Sequence, residues 1–568
     1  MLKKKSRRTQ SWIRFALLGG IILFVNILAN VFYAQLDLTQ EKRFTLTSHT
    51  RELTRNLNER IYVQILLSGD LPPGLKRLRT FARQLLDDLR SESGYIDYRF
   101  DDPLEGTAEE INERVQALAE AGIRPIRIDI RDAGQNVKKQ VYPYVIFRRG
   151  QRSVTVNLIE NNSPNISPDV INNSERKLEY KFANAIKGLQ AEKRKNILFT
   201  RDHGELSPLQ TADLERSLHQ FYDTDRISLD SVVSIEPKLC ELLIIAKPQT
   251  AFSEKDKFKI DQYLMQGGKI LWLIDRLNAD VDSIQARGVF VPTDYPLNIE
   301  DMLFKYGARI QPDLVLDMEC TSIPLVAGMV GNAPDIQLFP WYYFPAVQGQ
   351  SDHPVVKNLD RVELRFCSSI DTVRTRTAVR KTPLLVSSKY SRLQFSPISL
   401  NFQIAQLDPD PSKFNKGPQL VGLLLEGEFA SNYENRVSEE MALGLAQAGV
   451  KFRDRSESTR MIIVSDGDVT ANYVHDAERR EWLPLGFNRF ERIAYANKDF
   501  MLNAIEYLIK PKGVVLARSK EIKLRMLDTV RAREEKLFWQ ALNLGAPLAF
   551  LTLFGLLFHW LRRRKYAR

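Results

Sequence analysis

One stretch restricts this chain more than any other: Phe538 to Leu561, FWQALNLGAPLAFLTLFGLLFHWL, which holds no Asp, Glu, Lys or Arg. A helix rises about 1.5 Å per residue and needs about 20 apolar residues to cross a bilayer core. Trp539 and Trp560 stand near its two ends, where aromatic rings favour the headgroup zone, and Arg562, Arg563, Arg564 and Lys565 follow at once. Pro547 would break a soluble helix but is tolerated in a membrane helix whose neighbours satisfy the freed carbonyl. A transmembrane helix is therefore predicted.

The beginning of the chain has the same design. Phe15 to Ala34 lacks charge and follows Lys3, Lys4, Lys5, Arg7, Arg8 and Arg14. A cleaved leader would have a shorter apolar run and a small-x-small ending, whereas Phe32-Tyr33-Ala34 puts a Phe where a small residue belongs. A retained anchor is expected. Basic flanks stay cytoplasmic, so both termini are expected there, with the chain from about Gln35 to Lys536 on the far side of a bacterial inner membrane. The two flanks carry six and five basic residues, which equal the net charge of +11; the 81 basic residues less these eleven leave 70, against 70 acidic. The basic balance is thus a topology signal and does not indicate a nucleic-acid partner.

About 500 residues remain between the anchors, enough for two or three domains. Cys240, Cys320 and Cys367 are too few and too scattered for a disulfide framework or a zinc site, and no CxxC or HExxH occurs. The expected division is 1–34 (basic tail and first span), 35–192, 193–512, 513–537 (a juxtamembrane helix) and 538–568 (second span and basic tail).

In 35–192, Thr47 or Ser48 is placed to cap a short helix. Ile61–Leu67 reads as a strand, and Leu75, Leu78, Phe81, Ala82, Leu85 and Leu89 recur at helical spacing. Tyr95–Phe100, Ile126–Ile130, Tyr142–Arg148 and Ser153–Ile159 read as strands, with helices over Ala108–Ala121 and Glu175–Gln190. The order resembles a thioredoxin fold with one extra strand, and Pro143 resembles that fold's cis-proline. Ser68-Gly69-Asp70-Leu71-Pro72 follows the first strand with no cysteine, so thiol chemistry has no thiolate.

In 193–512, strands are predicted at Asn196–Thr200, Glu241–Ala246, Lys269–Ile274 and Arg460–Ser465. Helices are predicted over Pro208–Phe221, after Ser253 with Asp256 completing a capping box, and after Asn497. Alternating strands and helices indicate a parallel sheet, and such sheets bind at the carboxyl ends of their strands. Arg201, Asp202, His203, Glu205, Asp275, Asp466 and Asp468 would gather there as a ligand or partner surface. These acids and the histidine could hold a metal, but their spacing matches no defined site, and loop-tip polar residues explain them as well. The layout resembles a flavodoxin or class I glutamine amidotransferase-like fold. Leu273-Ile274-Asp275-Arg276-Leu277 then stands where that fold keeps its nucleophile and offers no Cys, Ser or Thr. There is no GxxxxGK[ST]. Residues 279–458 are hard to read, apart from strands at Leu384–Ser387 and Leu420–Leu425. Trp341, Tyr342 and Tyr343 lie in an aromatic run that fits an interface or a core. Gly545 and Gly555 on the second span allow close helix contact.

Taken in order, LDLTQEKRFTLT (36–47), RDHGE (201–205), YLMQGGKILWLID (263–275), LLLEGEF (423–429), VSDGDV (464–469) and NKDFMLNAIEYL (497–508) resemble the GldG family, the gliding-motility accessory proteins of ABC-2-type transporters. The resemblance covers nearly the whole chain. It implies a non-catalytic, substrate-binding-like subunit without cofactor, facing the periplasm beside a membrane permease that is served by a separate cytoplasmic ATPase. A membrane-tethered envelope hydrolase or transferase using the Asp/His/Glu cluster, and a purely structural adaptor, are the competing readings.

Overall fold

Leu75, Leu78, Ala82, Leu85, Leu86 and Leu89 lie on one stripe of a helix that runs Pro73–Glu92, and all six are buried. That stripe packs into the core of the first half of the body. The computed structural model describes residues 12, 15–21, 23–24, 45–120, 123, 125–132, 135–159, 168–190, 195–219, 221–330, 333–349, 352–406, 410–438, 440, 445–447, 449, 451–479, 481–511 and 535–566. Two compact units divide the chain: Met1–Asp37 with Phe44–Lys520, and Leu38–Arg43 with Glu521–Arg568.

The first unit opens with α1 (Ser48–Arg55), capped by Thr47, whose side chain accepts the Thr50 N–H. Then come β1 (Ile61–Ile65), α2 (Pro73–Glu92), β2 (Ile96–Phe100), α3 (Ala108–Glu120), β3 (Ile126–Asp132), β4 (Gln135–Val141), β5 (Tyr144–Arg149), β6 (Arg152–Asn157) and α4 (Pro168–Gln190). The sheet order is β2-β1-β5-β6, with β1 parallel to β2 and the other pairs antiparallel. One core joins Val63, Val145 and Phe147 to the inner stripes of α2 and α4. A second cluster sets Leu66, Tyr142 and Ile146 against Val115 and Leu118 of α3. The reading of Ile126–Ile130 missed half of a hairpin: β3 pairs β4 away from the four-stranded sheet. Gln135–Val141 carries too many polar residues to reveal a strand by apolar alternation. The Tyr142–Pro143 bond is not cis; among the described residues the cis peptide is Ser396–Pro397.

The second half of this unit contains β7 (Lys195–Arg201), α5 (Ala212–Leu218), β8 (Tyr222–Ser228), β9 (Leu242–Ala246), α6 (Glu254–Met265), β10 (Ile270–Leu273), α7 (Glu300–Tyr306), β11 (Cys320–Val330), β12 (Ala333–Gly349), β13 (Val379–Val386), β14 (Leu420–Gly427), β15 (Thr459–Val464) and α8 (Asn497–Ile509). They build a ten-stranded sheet in the order β11-β12-β13-β14-β15-β10-β9-β7-β8, with Val362–Glu363 pairing β12. From β8 to β15 the neighbours are parallel; from β15 to β11 they are antiparallel. The sheet is therefore mixed, and its antiparallel half comes from the stretch whose sequence was hard to read.

Alternate residues of the central strands feed two cores, as a sheet covered on both faces requires. Ile244, Leu271, Leu273 and Ile462 join Leu214 of α5 and Phe500 of α8. Leu243, Ile245, Trp272 and Ile463 join Ile260 of α6 and Met302 of α7. Two predicted helix starts move. Pro208–Gln210 is a turn in which Gln210 Oε1 accepts the Ser207 N–H at 2.9 Å, and α5 begins only at Ala212. Asn497 is the first residue of α8 rather than its cap; its side chain accepts the Glu363 N–H at 3.0 Å and donates to the Glu363 carbonyl at 2.8 Å.

The other unit holds α9 (Lys536–Tyr566), a 31-residue helix with Pro547 inside it. It is long and apolar enough to cross a membrane, none of its apolar window is buried, and Arg563, Arg564 and Lys565 fall in its last turn. Of the N-terminal run, residues 15–21 and 23–24 are helical with exposed side chains. The rest of that span, the basic residues Lys3 to Arg8 and most of the juxtamembrane helix lie outside the described residues.

Candidate functional site

The carboxyl ends of β9, β10 and β15 lie side by side because their ladders are in register. The Lys247 N–H donates to the Leu273 carbonyl at 2.8 Å and the Ile274 N–H to the Val464 carbonyl at 3.0 Å. Each strand delivers one or more ionisable side chains at its tip. Lys247 follows β9, Asp275 follows β10, and Asp466 and Asp468 follow β15.

Lys247 Nζ stands 2.6 Å from Asp468 Oδ2 and 3.2 Å from Asp275 Oδ2. The Gly467 N–H donates to Asp275 Oδ1 at 2.5 Å. Asp466 accepts two backbone N–H groups, those of Arg365 and Asp468, each at 2.7 Å. Gly467 has an ordinary negative φ, so the demand for glycine is steric: a Cβ there would lie 2.5 Å from Lys247 Cβ. One ammonium is thus shared within a nest of three carboxylates. Burial works against the Lys247 charge, but Asp468 and Asp275 outweigh it and raise the group above its ordinary value. Burial pushes Asp275 up to about 6, against the pull of Lys247. Burial likewise raises Asp466, with Asp275 and Asp468 adding to it. Partial burial would raise Asp468 too, yet Lys247 and Arg365 outweigh that and hold it low.

The loop after β7 forms a different cluster. Arg201 and Asp202 are exposed, and Asp202 has a left-handed φ of 85°. His203 turns inward. Its Nδ1 lies 3.7 Å from Glu205 Oε1 and its Nε2 3.6 Å from Asp256 Oδ2 at the start of α6. Its ring stacks on Phe252 at 4.0 Å between centroids. Asp256 is held by the predicted capping box, in which Ser253 Oγ accepts the Asp256 N–H and lies 2.6 Å from Asp256 Oδ2. Burial alone would lower His203; Glu205 and Asp256 outweigh it and hold the imidazole above its ordinary 6.5. Glu205 and Asp256 are both held low, since the pairing partners of each outweigh the burial that would raise it.

The seven residues predicted at strand ends therefore do not converge. Asp275 and Asp468 meet at Lys247 with Asp466 beside them, His203 lies between Glu205 and Asp256, and Arg201 and Asp202 face solvent. Among the described residues, no group of three or more His, Cys, Asp or Glu side chains is arranged to hold a metal ion. Lys247 and Arg365 were not singled out from the sequence, and Asp256 is read there only as part of a capping box. Lys247 was the accessible one, because it ends ELLIIA just as Asp275 ends KILWLI. Trp341, Tyr342 and Tyr343 are buried in a core with Phe366, Phe402 and Phe414, so the aromatic run is internal packing and not a surface.

A chemically competent acyl-transfer site needs a nucleophile beside a base. At the tip of β10 the side chain is a carboxylate whose oxygens are taken by an N–H and an ammonium. This geometry ties three strand ends together electrostatically.

Comparison with known proteins places this half of the body. Residues 194–504 match the ABC_transp_aux family model, described as an ABC-type uncharacterized transport system. Residues 40–148 match a domain of unknown function, DUF7088. A protein of Borreliella burgdorferi, named only "Uncharacterized protein", is 24% identical over 451 residues, covering 76% of this chain and 80% of that one. Among solved structures, the mmIFT52 N-terminal domain aligns with a TM-score of 0.29 at 12% identity, over 55% of this chain and 97% of that one. The exo-β-1,4-mannosidase Op5Man5 from Opitutaceae bacterium strain TAV5 aligns at 0.14, also at 12% identity, over 50% of this chain and 47% of that one. Such scores establish no common fold. With the family model covering more than half of its 568 residues, the chain belongs to the ABC_transp_aux family of ABC-type transport systems.

Proposed function

We propose that the protein is a non-catalytic, membrane-anchored accessory subunit of an ABC-type transporter. Its body acts outside the inner membrane as a substrate-binding or envelope-adaptor component. The observation that carries this reading is the tip of β10: within a chain of the transport family, Asp275, which would stand at the nucleophile position if the sheet is amidotransferase-like, is a carboxylate tied to Gly467 and Lys247. The N-terminal strand order, parallel β1-β2 flanked by antiparallel β5-β6, supports a thioredoxin-like scaffold, and Ser68 to Pro72 leave it without redox cysteines. The basic flanks of both apolar runs support two spans with cytoplasmic termini. The resemblance to the GldG family extends the reading to gliding motility, with a permease in the same membrane and an ATPase beneath it.

The test is to purify the tagged full-length chain from native membranes in mild detergent. A permease and a nucleotide-binding subunit are expected to copurify. Recovery of the chain alone, together with unchanged motility on its deletion, would overturn the reading. Protease added to intact spheroplasts should cut the body while leaving a C-terminal tag attached to α9.

A further inference from the structure

The chain enters and leaves its body at one place. Leu46 is buried, and the Thr47 N–H ahead of α1 donates to Glu179 Oε1 of α4 at 2.7 Å. At the far end of the body α8 stops at Ile509, and the Lys510 N–H donates to the Glu506 carbonyl at 2.7 Å. The Glu506 side chain accepts from Lys187 of α4 at 2.6 Å. Burial lowers His49 of α1, and Lys187 and Lys510 add to it, against Glu52 and Glu506. The start of α1, the C-terminal half of α4 and the end of α8 therefore share one region.

That region lies at the amino ends of the parallel strands. α8 runs back against β15: Asn497 Nδ2 donates to the Val469 carbonyl, beyond the strand's carboxyl end, while Arg460 Nη1, near its amino end, donates to the Tyr507 carbonyl, both at 3.3 Å. The amino ends of β7, β9 and β10 are gathered by Lys195 and Lys269, whose Nζ atoms lie 2.8 and 2.9 Å from the two oxygens of Glu241. Partial burial lowers Lys510, with Lys187 and Lys195 adding to it. Four ammonium groups, on Lys187, Lys195, Lys269 and Lys510, thus meet two carboxylates, Glu241 and Glu506. Just before Glu241, Lys238 is exposed and so is Leu239, by 64%. The clusters around Lys247 and His203 stand at the opposite ends of the same strands.

We propose that this amino-end face rests on the lipid surface and binds anionic head groups, so that the carboxyl-end clusters face away from the membrane. The inference rests on the two-span reading above. Connectivity selects the membrane as occupant. The first apolar run ends at Ala34, and the eleven residues from there to Thr45 reach at most about 40 Å. The second run, from Phe538, joins the same corner through Lys510. A body tethered twice at one corner presents that corner to the bilayer. Charge selects the lipid: surplus lysines attract anionic head groups within a Debye length, and an exposed Leu among them suits the boundary between head groups and acyl chains. A ligand at the strand carboxyl ends is then met from the periplasmic side and is not handed straight down to a permease.

The test reconstitutes the full-length chain, without other subunits, into nanodiscs containing a lipid with a nitroxide on its head group. Cys320→Ser removes the partly exposed native thiol. A fluorophore is attached at Asn196→Cys or at Arg201→Cys, exposed positions near opposite ends of β7. Equal melting temperatures, and equal quenching by iodide in detergent, confirm that both labelled chains are folded and accessible. The sites lie roughly 16 Å apart along the strand, and head-group quenching is expected to be roughly threefold stronger at Asn196→Cys. Exchanging anionic for zwitterionic lipid should weaken it there roughly threefold and leave Arg201→Cys unchanged. Equal quenching at the two positions, stronger quenching at Arg201→Cys, or indifference to lipid charge would each overturn this inference alone. A chain that does not enter the discs overturns the anchored reading and this inference together.

Discussion

Lys247 is the residue on which three strand ends depend. It sits between Asp275 and Asp468 with 15% of its side chain exposed, and it reaches its left-handed φ of 56° directly after β9. Replacing it with Met leaves buried carboxylates without their cation. Removing one member of a buried ion pair costs about 3–5 kcal/mol, so Lys247→Met should lower unfolding free energy by that amount in a denaturant titration. Adding Asp275→Asn and Asp468→Asn should restore part of it. His203 offers a pH readout. Its folded value lies above 6.5, so its contribution is complete below 6.5 and is lost as pH rises through the folded value. Glu205 and Asp256 are held below their ordinary 4.5 and 3.8, so theirs is complete above those values and is lost only in stronger acid. The cluster is therefore most stabilising between about pH 4.5 and 6.5. The melting-temperature gap between the wild type and His203→Gln should be wide at about pH 5.5 and narrow by about pH 8.5. A constant gap would show that the imidazole stays neutral.

Among the elements, α9 was the most legible. Length, lack of charge and the basic stop predicted Phe538–Leu561, and the helix extends only a few residues beyond at each end. Leu551 lies at its middle. Leu551→Arg should cost about 2.5–3.5 kcal/mol of insertion free energy and release a larger fraction of the chain on alkaline extraction of membranes. The cap at Ser253 was also readable, because a capping box is written within four residues. The strands β4 and β8 were not. Gln135–Val141 and Tyr222–Ser228 alternate polar residues with few apolar ones, since β4 stands in a two-stranded hairpin and β8 at a sheet edge, where little core demands a hydrophobic face.

Across the body, the N-terminal and C-terminal halves are fastened through α4 and α8. Glu506 of α8 accepts from Lys187 Nζ at 2.6 Å and from the Tyr180 hydroxyl at 3.1 Å, while Asp499 pairs with Lys177. Glu506 is buried, so Glu506→Ala strands a half-covered ammonium. The expected cost is about 3–5 kcal/mol. In scanning calorimetry the single transition should broaden or split, with the N-terminal half melting first. A uniform shift of one sharp transition would show that the apolar packing alone couples the halves.

The sequence alone determined the apolar helix, four of the five strands of the parallel half, the Ser253 cap and the lack of a nucleophile at Asp275. Each of these is encoded over fewer than about thirty neighbouring residues, where periodicity and side-chain chemistry act locally. Only the tertiary structure decided that Lys247 meets Asp468, 221 residues away, that His203 belongs with Asp256, that Trp341 is internal, and that half of the large sheet is antiparallel. Those outcomes depend on which strands become neighbours and in what register, and a shift of one residue would send every side chain to the other face.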